Sequence, residues 1–317
     1  MRWVTFTIKG DNDERVAVLD EEDLLCALPA GARLIELISD LGRLQETGRE
    51  ALRAPAARFE PSEVTLLAPI PQPPSVRDFY AFEQHVRTAR QRRGLDMEPD
   101  WYELPIYYFT NPAATKGPNE DVEIAPGSHE MDFELEIAAV VGPGGADLSP
   151  RRAERCIAGF TIMNDWSARD LQRREMKLNL GPAKGKDFAT SLGPMLVTPD
   201  ELDEYREGAG YDLTMTARVN GVEYSRASWA DIHWSFGEML SYASRGTRLV
   251  TGDVVGSGTC GTGCILELSL VHGEDAYPWL GPDDVVELEV EALGTQRARI
   301  LPARQPVPYR DRAPHAD

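Results

Sequence analysis

The chain is poor in the residues that bind soft metals or form disulfides, with four cysteines and five histidines among 317 residues. No CxxC pair occurs and the histidines are scattered. Structural zinc normally draws on four clustered Cys or His ligands, so the composition weighs against it. The nearest approach is CGTGC, whose Cys260 and Cys264 read as buried or loop thiols in a reducing compartment. No apolar run approaches the ~18 residues that a spanning helix needs. The opening MRWVTFTIKGDNDER lacks the apolar stretch of a secretory leader. A cytoplasmic protein with no membrane partner is therefore expected. Basic charge is also scarce: 33 Lys and Arg stand against 52 Asp and Glu, a formal charge of −19. A field of that sign repels phosphate backbones and argues against nucleic acid as a partner. Internal repeats and low-complexity tracts are absent as well.

The chain has many short strand signals and few long helices. WVTFTIKG and VAVLD read as strands joined through a DND turn. ARLIELISDLGRLQ carries Leu34, Ile35, Leu37, Ile38 and Leu41 at helical spacing. The Pro-rich TLLAPIPQPPSV follows a short strand and marks a boundary near residue 65. RDFYAFEQHVRTARQRRG reads as a helix closed by Gly94. DVEIAPGS, DFELEIAAVVG and FTIMND read as strands. LSPRRAERC between them is a short helix with Ser149 at the N-cap and Pro150 at the first helical position. DLTMTARVNGVEYSRAS is a hairpin turning at Asn220-Gly221. SFGEMLSYASRG is a helix capped by Ser235 and stopped by Gly246. DVVGSGT, CILELSL and DDVVELEVEAL supply further strands. The expected class is α+β and β-rich. A small N-terminal α+β domain (1–65) precedes a large β-rich domain (66–303) and a polar C-terminal tail (304–317).

Within DFELE, Glu134 and Glu136 alternate with Phe133, Leu135 and Ile137. In a strand, residues two apart share a face, so both carboxylates project together. An ordinary amphipathic strand with a wet face has the same pattern. However, the run AAVVG that follows loses its polar alternation, which places the acids at the mouth of a buried strand. Asp165 ends another apolar strand, where an Asp is usually a turn residue. If the three acids meet, they repel, and one takes up a proton unless a cation intervenes. An all-oxygen ligand set suits Mg²⁺, Mn²⁺ or Ca²⁺ rather than zinc.

NDWSARDLQ followed by GPAKGKDF, together with DFELE and LVTGDVVGSGT, resembles the fumarylacetoacetate hydrolase superfamily, over roughly residues 65 to 303. The resemblance implies a mixed β-roll or sandwich-like catalytic domain and a homodimer. It implies metal ligands Asp78, Glu134, Glu136 and Asp165, with Mg²⁺ the first choice and Ca²⁺ or Mn²⁺ as alternatives. In RDFYAFEQH it implies a catalytic base, His85, seven residues after the acid, oriented by Glu267 of ILEL. Arg169, Gln172 and Lys186 become contacts to substrate or to the developing oxyanion. Tyr108 of LPIYYF and Thr259 of GSGT become substrate-binding residues.

The pattern departs from the family in the substrate pocket. Met176 stands where a second family tyrosine is expected, and EMKLNLGPAKGK is about one residue longer than in the hydrolase proper. A family arginine falls at Gly94, beside Arg92 and Arg93. The activity implied is metal-assisted hydrolysis of a carbon–carbon bond in a β-diketone or acylpyruvate, a diketo acid like fumarylacetoacetate. The same metal ligands also suit a 2-keto acid hydratase, a decarboxylase or a keto–enol tautomerase. A non-catalytic, metal-dependent binding protein is the remaining class.

Overall fold

The computed structural model describes residues 1–91 and 94–308. The fold is α+β and strand-rich, in line with the sequence. Its centre is a twelve-stranded sheet. One side of that sheet runs, strand by strand, through Thr190–Val197, Ile157–Asp165, Leu135–Val141, Val254–Gly256 and Val76–Phe79 to the edge strand Tyr107–Thr110. The N-terminal strands extend the same sheet, because Arg2–Ile8 pairs antiparallel with Thr190–Val197. A second, five-stranded sheet holds Val222–Ser228, Thr214–Val219, Val285–Val290, Gly294–Leu301 and Val122–Glu123.

The central strands are buried on both faces, which explains their nearly unbroken apolar character. On Leu135–Val141, Ile137, Ala139 and Val141 pack into the larger core with Phe160, Ile162 and residues of the second sheet, such as Met215 and Leu288. The alternate residues Ala138 and Val140 face a second core with Met163, Trp3, Leu44 and Val254. Glu136 has the parity of Ala138, and Asp165 that of Met163, so both acids belong to this second face.

The Asn220-Gly221 turn forms as expected, with positive φ at both residues (52° and 79°), as a type I′ turn requires. Phe236–Ala243 is a helix whose Ser235 and Glu238 cap each other reciprocally. Pro150–Glu154 forms a helix, although the Ser149 side chain makes no cap bond.

Three elements differ from expectation. Residues 32–45 split into Leu34–Leu37 and Leu41–Arg53, because Asp40 leaves the helix to accept the Arg43 N–H at 3.1 Å. RDFYAFEQHVRTARQ is a strand and then a helix, Val76–Phe79 followed by Glu83–Gln91. Its first part is a central strand, paired on both edges, and the helical periodicity belongs to EQHVRTARQ alone. CILELSL is a helix, Ile265–His272. The buried Asp132 carboxylate accepts the Ile265 and Leu266 N–H groups at 2.7 and 3.0 Å, and Cys264 Sγ accepts that of Glu267 at 3.4 Å. A short apolar run cannot reveal a cap supplied from 133 residues away in the chain.

Candidate metal centre and active site

Four carboxylates converge at the edge of the second core. Ligand oxygens of Asp78, Glu134, Glu136 and Asp165 all lie within 4.8 Å of one another, and all four residues are buried. The sheet register brings them together. Glu136 lies opposite Met163 on the strand that ends in Asp165. On the other side, Gly256 lies opposite both Ala138 and Asp78. With no side chain of its own, Gly256 leaves the space into which the acids of two strands lean. A Cβ there would stand 2.7 Å from Asp78 Oδ1 and 3.0 Å from Glu136 Oε2. Glu134 is not part of a continuous strand, as the alternation suggested. It sits in a break between Met131–Asp132 and Leu135–Val141, where its N–H donates to Asn164 Oδ1 at 3.0 Å. The break still delivers its carboxylate to the cluster.

Among the described residues, Asp165 Oδ1 has no hydrogen-bond partner, and Glu136 has none but the neighbouring Asp78 carboxyl, with which it pairs only while one of the two holds a proton. Leaving buried carboxylate oxygens unpaired is costly. Burial, then the Asp165 charge, pushes the Asp78 carboxyl up to about 8. Burial and the neighbouring Asp78 push Glu136 well above the ordinary carboxylate range. Burial raises Asp165 too, although Lys186 opposes it. Glu134 is the exception: burial would raise it, but Lys186 and Arg169 outweigh that and hold it below the usual range. Orphaned oxygens, mutual repulsion and an all-oxygen donor set together fit a hard divalent cation.

Two cationic side chains are built into the cluster. Lys186 Nζ donates to Glu134 Oε2 and Asp165 Oδ2, each at 2.6 Å. Arg169 spans Asp132 Oδ2 (2.8 Å), Glu134 Oε1 (2.6 Å) and Gln172 Oε1 (3.1 Å). Asp165 and Glu134 hold the Lys186 ammonium in its charged form against burial. Gly185 lets the Lys186 loop close on this helix, since a Cβ there would stand 2.7 Å from the Gln172 backbone. The Tyr108 hydroxyl donates to Asp165 Oδ2.

His85 and Glu267 also meet. His85 Nδ1 lies 2.8 Å from Glu267 Oε2, with both residues buried and Tyr80 packed edge-on against the imidazole. Glu267 therefore comes from a helix, and the cap that creates that helix aims it at His85. The dyad borders the acid cluster: ligand atoms of His85, Glu134 and Cys264 lie within 4.8 Å of one another. Thr259 is buried on the loop between Val254–Gly256 and Ile265–His272. Among the described residues, no hydrogen bond joins its hydroxyl to the carboxylates or to His85. Met176 ends the Arg169–Met176 helix half-exposed, and Gly94 turns with φ 73°. Arg92 and Arg93 lie outside the described residues.

Sequence reasoning missed Asp132, which joins Arg169 to the start of the Glu267 helix. Its place in DFELE, two residues before Glu134, was the available signal. It also missed the placement of Cys264, whose sulfur lies with ligand atoms of His85 and Glu134 within 4.8 Å of one another.

A family model described as fumarylacetoacetate (FAA) hydrolase C-terminal matches residues 75–301. The chain is 30% identical over 243 residues to a fumarylacetoacetase of Arabidopsis thaliana, covering 61% of this chain and 57% of that protein. It thus spans little more than half the length of that relative. It is also 30% identical over 240 residues to an oxaloacetate tautomerase of Bacillus subtilis, covering 74% of this chain and 72% of that one. Among solved structures, the fumarylacetoacetate hydrolase of Exiguobacterium antarcticum superposes with a TM-score of 0.73 at 25% identity, covering 96% of this chain and all of that one.

Proposed function

This chain belongs to the fumarylacetoacetate hydrolase family, and from that premise we propose that it hydrolyses a carbon–carbon bond in an acylpyruvate-type diketo acid with the help of a divalent cation. The relatives' names span hydrolases and tautomerases of keto acids. The observation that favours hydrolysis is the buried His85–Glu267 pair at the edge of the acid cluster. Asp78, Glu134, Glu136 and Asp165 would hold the ion, Mg²⁺ first, with Ca²⁺ or Mn²⁺ as alternatives. Once bound, the ion supplies Lewis-acid polarisation of the two substrate oxygens.

Glu267 accepts the proton on His85 Nδ1, which leaves Nε2 with its lone pair free for a water. His85 takes a proton from that water, and Glu267 stabilises the imidazolium that results. The hydroxide adds to the carbonyl that becomes the new carboxylate. Arg169, Gln172 and Lys186 donate to the oxyanion as it forms. The oxyanion collapses, the carbon–carbon bond breaks, and its electron pair leaves with the enolate half. The imidazolium then returns a proton to carbon. Tyr108, already on Asp165, and Thr259 complete the substrate contacts.

A second reading, favoured by the likeness to the oxaloacetate tautomerase, keeps these residues and changes the step. His85 then moves a proton between carbon and oxygen without adding water. Hydration and decarboxylation share the same geometry. The test is an activity panel of acylpyruvates and oxaloacetate with Mg²⁺ or Mn²⁺, read by loss of enol absorbance and by product mass. Two shorter acids as products support hydrolysis, and an unchanged mass supports tautomerisation. Binding without turnover supports a non-catalytic role. A His85→Ala variant that keeps full turnover would sink the base assignment. We further propose that the protein works as a homodimer in a reducing compartment such as the cytoplasm, in keeping with its four free cysteines. No helix among the described residues is long and apolar enough to cross a membrane.

A further inference from the structure

Cys264 has no part in the chemistry above, yet its sulfur lies with His85 and Glu134 in a second buried cluster of ligand atoms within 4.8 Å. We propose that His85, Cys264 and Glu134 form an inhibitory site for a soft or borderline divalent cation, Zn²⁺ or Cd²⁺, that shares only Glu134 with the four-carboxylate centre. A thiolate, an imidazole and a carboxylate make a set that favours such ions over Mg²⁺. The imidazole is already oriented as metal-bound histidines are: Nδ1 is held by Glu267 at 2.8 Å, so Nε2 is the free ligand atom. Among the described residues, the hydrogen bond that Sγ accepts is the long one from the Glu267 N–H, at 3.4 Å, which leaves lone pairs for an ion.

Two features oppose binding, and neither closes the site. The Cys264 thiol is kept protonated by burial and then by Asp132, so the ion must displace its proton to solvent. The Glu134 oxygens already accept from Arg169 and Lys186, each at 2.6 Å, but each keeps a second lone pair. Occupancy ties up the imidazole lone pair that would otherwise take a proton from water. That consequence rests on His85 as the base, whereas the binding itself does not.

The probe is Cd²⁺ added to the full chain held in saturating Mg²⁺, without substrate. The expected result is an ultraviolet thiolate-to-cadmium charge-transfer band that saturates at a single equivalent. It disappears in Cys264→Ser, which keeps a helix-capping oxygen, and persists in Cys260→Ser. In His85→Ala the thiolate remains but the band needs about tenfold more Cd²⁺ or worse, a loss of at least one decade in affinity. This variant also serves if Cys264→Ser does not fold. In turnover assays Zn²⁺ inhibits the parent protein at lower concentration than Cys264→Ser. The proposal is overturned if no band forms, if the band survives Cys264→Ser or is unmoved by His85→Ala, or if Zn²⁺ inhibits both proteins alike. Equal inhibition would place its action at the four-carboxylate centre. The band is read without catalysis, so it stands or falls apart from the proposed reaction.

Discussion

Lys186 is the residue on which the proposed centre balances. Its ammonium bridges Glu134 and Asp165 at 2.6 Å each, within the same set of oxygens that would hold the cation. With an ion and substrate bound, it would therefore compete with the ion for charge while donating to substrate. In Lys186→Met, turnover should fall by ~10²–10³, the usual cost of one oxyanion donor. Mg²⁺ affinity by titration calorimetry should stay level or rise, because a repelling charge has gone; a collapse in affinity would mean that the lysine organises the ligands. Asp78 and Glu136 give a second prediction. With Asp78 raised to about 8 and Glu136 raised well above the ordinary carboxylate range, the metal-free cluster retains protons at neutral pH. Ion binding must expel them, so calorimetric heats at pH ~7 should vary with the buffer's ionisation enthalpy. The sign for stability follows. A carboxyl raised on folding favours the fold below its unfolded value of ~4, and that favour is lost as pH climbs towards about 8. The gap in melting temperature between Mg²⁺-saturated and chelator-treated protein should therefore widen from pH ~5 to ~8. A gap that narrows over this window would refute the shared-proton picture.

Strands deliver the acids, and a glycine makes room for them. Gly256→Ala puts a methyl group 2.7 Å from Asp78 Oδ1, 2.8 Å from Met163 Sδ and 3.0 Å from Glu136 Oε2. Overpacking of this kind costs ~1–3 kcal/mol, and here it also spreads the ligands. Denaturant melts should show the loss, and calorimetry a weaker Mg²⁺ site; unchanged affinity would mean that the register matters less than the geometry suggests. Asp132 works on another element. Its carboxylate holds Arg169 and the first N–H groups of Ile265–His272, so Asp132→Ala leaves a buried guanidinium short of a partner and uncaps the Glu267 helix. The expected cost is ~3–5 kcal/mol in chemical denaturation. These two residues mark how far the sequence could be read. The strand alternation located Glu134 and Glu136, and the motif order located Lys186, Arg169 and the His85–Glu267 pair, which the structure brings together. The Asp78 strand reads as helix in the sequence because the amphipathic signal of EQHVRTARQ spreads into it, and a strand paired on both edges leaves no local period. The Glu267 helix reads as a strand because its cap lies in a distant segment. Long-range caps and sheet registers are set by tertiary contact, and a single sequence carries no record of them.

At the scale of the whole molecule, apolar exposure and net charge pull against each other. Met176, Leu178 and Leu180 are 49%, 80% and 94% exposed, at the end of the Arg169–Met176 helix and on the segment that leads from it to Lys186. Apolar side chains gathered on one exposed loop mark a surface that gains by being covered. A second copy of the chain is the occupant we propose, since a two-fold interface presents the same patch from both sides. Each copy carries a formal charge of −19, so association works against mutual repulsion. Two consequences follow, both measurable by sedimentation. Raising salt from low ionic strength should tighten the dimer, because screening removes the repulsion and leaves apolar burial intact. The double variant Leu178→Glu/Leu180→Glu should sediment as a monomer at concentrations where the parent is dimeric. It should also turn over more slowly, because this segment leads into Gly185 and Lys186, whose close approach to Gln172 sets the ammonium in place. A double variant that remains dimeric would move the interface elsewhere, and one that becomes monomeric with full turnover would separate assembly from the active site.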